Sequence, residues 1–85
     1  MKVKIKIRNC SEEKMSIIKE PEAVEAFIDA NDQIEVETNE QEDNITINVG
    51  KDEGGTIYVQ IWDALKTRYV IYHNGKSMFE EYLLD

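Results

Sequence analysis

Apolar and basic residues alternate along the first eight positions of the chain, where Val3, Ile5 and Ile7 are each flanked by lysine or arginine. A period of two places successive side chains on opposite faces of a strand. Met1–Arg8 is therefore predicted to be a strand with one buried face, and its lysines would discourage pairing with other chains. Lys14–Lys19 follows a turn-like segment. We interpret it as a short second strand, with a helical turn as the alternative.

Two segments are predicted to be helices. Pro21–Ala30 has Val24, Phe27 and Ile28 at the spacing of one helical face, and its proline occupies the first turn, where helices accept it. Ser77 opens an S-x-x-E sequence that is typical of a capping box. A short C-terminal helix is therefore expected to begin there.

Four further segments alternate with a period of two and are predicted strands: Gln33–Thr38, Asn44–Val49, Thr56–Asp63 and Arg68–His73. The resulting order is β-β-α-β-β-β-β-α, within a single domain over residues 1–85. We expect an α+β fold in which an antiparallel sheet of about five or six strands carries both helices on one face. The other face would carry exposed acidic and aromatic side chains.

The 85-residue chain has a formal net charge of −8, and this charge is unevenly distributed. Residues 1–19 hold six basic and two acidic side chains, whereas residues 20–55 hold twelve acidic side chains and one basic side chain. An acidic excess excludes a general nucleic-acid binder, which carries a basic face. It favours a protein partner with a basic surface.

The compartment predicted from the sequence is the cytoplasm. The apolar runs are far shorter than the roughly 18 residues of a membrane span, and the basic residues before Asn9 would interrupt a signal peptide. Cys10 is the one cysteine of the chain, so it has no internal disulfide partner.

The residues that could perform chemistry are few. A Cys10–His73 dyad is the alternative that would make this chain an enzyme, but no neighbouring sequence supports it. One cysteine and one histidine cannot complete a tetrahedral zinc site. We therefore expect a protein without catalytic activity, metal or cofactor.

The candidate site is instead a surface that binds a partner. Its acidic members are Glu35, Glu37, Glu40, Glu42, Asp43, Asp52 and Glu53. Carboxylates spaced along a strand resemble the phosphates of a nucleic-acid backbone. Tyr58 and Trp62 are the candidate aromatic anchors, because tyrosine and tryptophan dominate binding energy in protein interfaces.

These acidic features give the chain a resemblance to small inhibitor proteins of bacteria and phages. In size, acidity and strand content, with the Gln33–Asp43 hairpin and Asp52-Glu53 as the comparable features, it resembles anti-CRISPR and anti-restriction proteins, the uracil-DNA glycosylase inhibitor and toxin-immunity proteins. No motif matches residue by residue, so no residue role is transferred. The resemblance implies a non-catalytic inhibitor that binds a nuclease, toxin or other nucleic-acid-binding protein and blocks its active or nucleic-acid-binding site.

The alternative function is a homo-oligomeric adaptor whose acidity serves only solubility. In that interpretation the basic first strand, with Lys2, Lys4, Lys6 and Arg8, meets the acidic hairpin of a second copy in a homodimer.

Overall fold

The structure is a computed structural model that describes residues 3–38, 45–63 and 69–79. In these ranges every regular element is a β-strand. The strands are β1 Val3–Arg8, β2 Met15–Lys19, β3 Val24–Ile28, β4 Gln33–Thr38, β5 Ile45–Lys51, β6 Ile57–Asp63, β7 Tyr69–His73 and β8 Lys76–Met78. The strands that alternation predicted are all present, and the segment after the first turn is a strand.

The eight strands form two four-stranded sheets. Sheet A has the order β1-β4-β7-β8, and sheet B has the order β3-β2-β6-β5. Every pairing is antiparallel except that of β2 with β6, which is parallel. The chain therefore crosses between the sheets instead of following a single meander.

One hydrophobic core lies between the sheets. Its fully buried members come from both of them: Met15, Ile17, Ile28, Ile34, Val36, Val59, Ile61, Tyr69 and Ile71. Each sheet thus turns its apolar rows inward and its alternate rows outward, as in a β-sandwich. The two outer faces point in opposite directions.

The predicted α+β class is wrong, because the described residues contain no helix and the strands form two sheets. Residues 20–23 form a turn that ends at Ala23 with a φ of 59°, and Val24–Ile28 continues as β3. Val24 and Ile28 lie on the same side of either a helix or a strand, so their spacing did not distinguish the two.

The described residues include no apolar helix of the length needed to cross a membrane.

The second predicted helix is also wrong over the part of it that the structure describes. Ser77, its expected first residue, lies in β8 opposite Tyr72 of β7. The Asn74-Gly75 turn brings β8 back along β7, and Phe79 then has a φ of 56°, outside the helical region. Residues 80–85 lie outside the described ranges.

Tyr69 joins the two sheets at one end of the core. Its hydroxyl lies 2.7 Å from the carbonyl oxygen of Glu20 and 3.0 Å from that of Ile61, so the β7 side chain bonds to the backbone of sheet B. The buried Lys19 ammonium lies 4.8 Å from the centre of the Tyr69 ring and 2.6 Å from Glu22 Oε2. These contacts fix the two outer faces relative to one another.

Candidate partner-binding surfaces

The outer face of sheet A is charged, and opposite charges face one another across its strands. Lys4 and Lys6 of β1 lie directly opposite Glu37 and Glu35 of β4. Directly opposite residues on one face of an antiparallel pair have Cβ atoms about 5 Å apart, within reach of long charged side chains. The basic first strand is therefore matched to acidic residues of its own chain.

A shallow cleft of about 350 Å³ opens on the same side of the molecule. Its polar lining comes from β4, β7 and the turn after β7: Gln33, Glu35, Glu37, Tyr72, Asn74 and Gly75. Glu35 lies opposite Tyr72 on one side and opposite Lys6 on the other. A lysine of β1 thus reduces the net negative charge beside this cleft.

The outer face of sheet B has a different composition. Phe27 of β3 is 54% exposed and Trp62 of β6 is 38% exposed, and Tyr58 of β6 is half-buried on the same face. Because Phe27 and Tyr58 both lie opposite Ser16, they are about two strand spacings apart, roughly 10 Å. Tyr58 and Trp62 are four residues apart on one strand, about 13 Å. We call this surface, centred on these three rings, the aromatic face.

Tyr58 of the aromatic face packs closely against Gly50 of β5. A Cβ atom built on Gly50 would lie 2.7 Å from the Tyr58 hydroxyl oxygen and 2.8 Å from the ring carbon beside it. The Tyr58 ring therefore lies over the backbone of β5, where a side chain would displace it. Glycine at this edge position sets the orientation of the ring.

Polar groups between the rings are hydrogen-bonded to one another. Gln60 donates to Glu20 Oε2 over 2.6 Å and accepts from Asn48 over 3.3 Å, and the Ser16 hydroxyl donates to the Glu25 carboxylate. Among the described residues that alternation places on this face, the charged ones are Glu20 and Glu25, both acidic. The face is therefore aromatic and amide-rich, with a small negative charge.

The residues proposed from sequence are thus divided between surfaces. Glu35 and Glu37 lie in sheet A, whereas Tyr58 and Trp62 lie on the outer face of sheet B, pointing the opposite way. Glu40, Glu42 and Asp43 lie outside the described residues. The fold does not bring Glu35 and Glu37 together with the two aromatic residues.

Asp52 and Glu53 occupy the turn that joins β5 to β6, beside the Tyr58 end of the aromatic face. The Asp52 carboxylate accepts hydrogen bonds of 2.9 Å from the backbone of both Gly54 and Thr56. It therefore shapes its own turn. Glu53 is exposed beside it.

No protein-family model, curated protein or solved structure matches this chain.

The alternative enzyme would use Cys10 and His73. Cys10 is exposed with a free thiol, and His73 donates to Asp32 over 2.5 Å at the end of sheet A. The hydrogen bond from His73, followed by that from the Gln33 backbone, holds the pKa of Asp32 below its ordinary value. Within the described ranges, no group of three or more metal-ligating residues is placed to hold an ion.

Sequence reasoning missed Phe27 as a surface residue. It was assigned to the buried face of a helix, but in β3 it projects outward while its neighbours Ala26 and Ile28 point inward. The period-two alternation of Val24, Ala26 and Ile28 with Glu25 and Phe27 was a signal that could have revealed this.

Proposed function

We propose that this chain is a non-catalytic binding protein that docks its aromatic face onto a protein with a basic surface. The observation that carries the proposal is the exposure of Phe27 and Trp62, with Tyr58, on one nearly uncharged sheet face. Aromatic residues are enriched in interface centres, whereas charged residues are depleted there. Large exposed apolar side chains gathered on one face indicate an interaction surface.

The charge of the chain supports a basic partner. The net charge is −8, and the charged groups on the aromatic face itself are carboxylates. Long-range attraction would accelerate encounter with a basic protein, and the buried rings would then slow dissociation. A nucleic-acid-handling enzyme, such as a nuclease or a toxin, is the class of partner that the resemblance to small acidic inhibitors implies. Binding over its substrate groove would inhibit it in the cytoplasm.

The aromatic face is smaller than the area that a standard interface buries on each partner. Four strands of about six residues cover roughly 19 by 20 Å, or about 400 Å². A standard interface buries about 800 Å² on each partner. The neighbouring turns must therefore contribute, and the Asp52–Gly55 turn, with the exposed Glu53, is next to the Tyr58 end of the face.

The experiment compares variants on opposite faces. Wild type, Trp62→Ala and Glu35→Gln are immobilised, and the proteins that each retains from a bacterial lysate are quantified by mass spectrometry. The retained protein is then purified and titrated against each variant at increasing salt. We expect Trp62→Ala to weaken binding by about 2 kcal/mol or more, because tryptophan is among the residues most enriched at interface hot spots. Glu35→Gln, an isosteric change on sheet A, should bind nearly as wild type does.

The proposal also requires that the retained protein have a basic surface and that its affinity fall with salt. A retained protein that binds Trp62→Ala and wild type equally would contradict the proposal, as would a salt-independent affinity. Urea unfolding of both variants checks that the fold is unchanged.

A further inference from the structure

The two sheets have four edge strands among the described residues: β1 and β8 in sheet A, and β3 and β5 in sheet B. Three of them carry features that discourage pairing with another chain. β1 has Lys4, Lys6 and Arg8, β8 is three residues long, and β3 is short with an exposed Glu25.

The fourth edge strand, β5, carries none of these features except at its last residue. It is seven residues long, and its sequence from Ile45 to Gly50 has no charge and no proline. Three of its residues are β-branched and apolar, and Val49 is 69% exposed. A long, uncharged and apolar edge is the kind of strand that accepts another strand by backbone hydrogen bonding.

We propose that β5 pairs antiparallel with β5 of a second copy, so that two B sheets join into one eight-stranded sheet. A two-fold axis through Ile47 would set Ile45 opposite Val49 of the partner subunit, and Thr46 opposite Asn48 of the partner subunit. The strand is therefore complementary to itself: apolar residues meet apolar residues on the inner side, and neutral polar residues meet on the outer side. No like charges face each other between Ile45 and Gly50.

This dimer differs from the homo-oligomer that the sequence suggested. Lys4 and Lys6 of β1 already lie opposite Glu37 and Glu35 of their own chain. The contact between the two copies is therefore placed at the uncharged β5 edge and not at β1. The aromatic face remains accessible in the dimer, because strands pair within the plane of the sheet and the aromatic side chains project perpendicular to that plane. The dimer would thus present two aromatic faces on one continuous surface.

Sedimentation equilibrium over a wide concentration range tests the pairing in wild type, Val49→Lys and Phe27→Lys. Val49 and Phe27 are both exposed apolar residues of sheet B, but Val49 alone is at the proposed joint. We expect Val49→Lys to raise the dimer dissociation constant at least about tenfold, since the apolar contact is lost and an ammonium group is desolvated. Phe27→Lys should leave it unchanged.

Salt gives a second, independent readout. Two copies that each carry a charge of −8 repel one another, so added salt should strengthen the dimer. Binding of a basic partner should weaken under the same conditions, so the dimer and the proposed function can fail separately.

Hydrogen exchange of the β5 amides locates the joint without any substitution. We expect alternate amides between Ile45 and Lys51 to become protected as concentration rises. Full protection at a concentration where sedimentation finds the monomer would mean that the chain itself covers this edge, and it would overturn the proposal. A wild type that stays monomeric throughout, or a dimer unaffected by Val49→Lys, would overturn it as well.

Discussion

The outer faces of sheets A and B lie on one shared core but carry different side chains. On sheet A, Lys4 and Lys6 lie opposite Glu37 and Glu35 across neighbouring strands, so each of these two carboxylates has a basic side chain of its own chain across from it. On sheet B, the exposed side chains of Phe27 and Trp62 do not belong to the core, so core packing does not account for them. Covering exposed aromatic rings with another protein is favourable, whereas covering charged side chains costs their hydration. The comparison therefore supports the outer face of sheet B as the proposed binding surface.

The largest effect should come from removing the side-chain hydrogen bonds that join the two sheets. Tyr69→Phe removes the hydroxyl that bonds β7 to the carbonyl oxygens of Glu20 and Ile61. A buried acceptor left without its donor costs about 1–3 kcal/mol, and we expect the free energy of unfolding in urea to fall by that amount. Tyr72→Phe is the control, because Tyr72 is a half-buried residue on the outer face of sheet A. Equal losses for the two variants would show that Tyr69 does not join the sheets.

An intermediate effect should follow when the charge pattern of sheet A is reversed. The double variant Lys4→Glu, Lys6→Glu places carboxylates directly opposite Glu37 and Glu35, and we expect the free energy of unfolding to fall by about 1–2 kcal/mol over the two pairs. High salt should restore most of this loss, because it screens exposed charges.

The matched control adds carboxylates to sheet B. Thr46→Glu, Asn48→Glu changes two exposed positions of β5 that lie opposite Trp62 and Gln60. At protein concentrations too low for the proposed β5 pairing, this variant should lose less than about 0.5 kcal/mol per site, as surface changes usually do. If both double variants lost the same free energy, the charge balance of sheet A would not be a property of its cross-strand pairs.

The smallest effect concerns the Asp32–His73 pair at the end of sheet A. Since the pKa of Asp32 is lowered in the folded protein, its contribution to stability is complete above its ordinary pKa of 3.8 and is lost as pH falls through the lowered value. The unfolding free energy of wild type should therefore decrease relative to that of Asp32→Asn below pH 3.8. Asp29→Asn, which removes an exposed carboxylate 3.9 Å from Lys14, is the control. Parallel curves for wild type and Asp32→Asn would contradict the pairing.

The strands could be predicted from sequence because each buries one face, and alternation records that directly. In β4 and β6 the apolar rows include the buried Ile34 and Ile61. Ile5 and Ile7 of β1 are half-buried. The error at Val24–Ile28 arose because Val24 and Ile28 satisfy a helical and a strand period equally well. No local signal indicated that β2 pairs with β6 in parallel, since that contact joins residues about 40 positions apart.

The candidate surfaces could be predicted only in part. The alternation of Thr56–Asp63 correctly placed Tyr58 and Trp62 on an outer face. The expectation that acidic and aromatic residues share one sheet face failed for Glu35 and Glu37, because a sandwich has two outer faces and composition does not assign strands to sheets. Phe27 was missed because β3 was predicted to be a helix with Phe27 on its apolar face.

Trp62 is the sole tryptophan of the chain, so a fluorine label on its indole reports on the aromatic face alone. The most direct test of the account is the ¹⁹F NMR spectrum of 5-fluorotryptophan-labelled protein during titration with the retained partner. Saturation is followed independently by sedimentation. The account predicts that this single resonance shifts or broadens in proportion to the fraction bound. A resonance that stays unchanged at full saturation would place the partner elsewhere on the molecule and contradict the central claim.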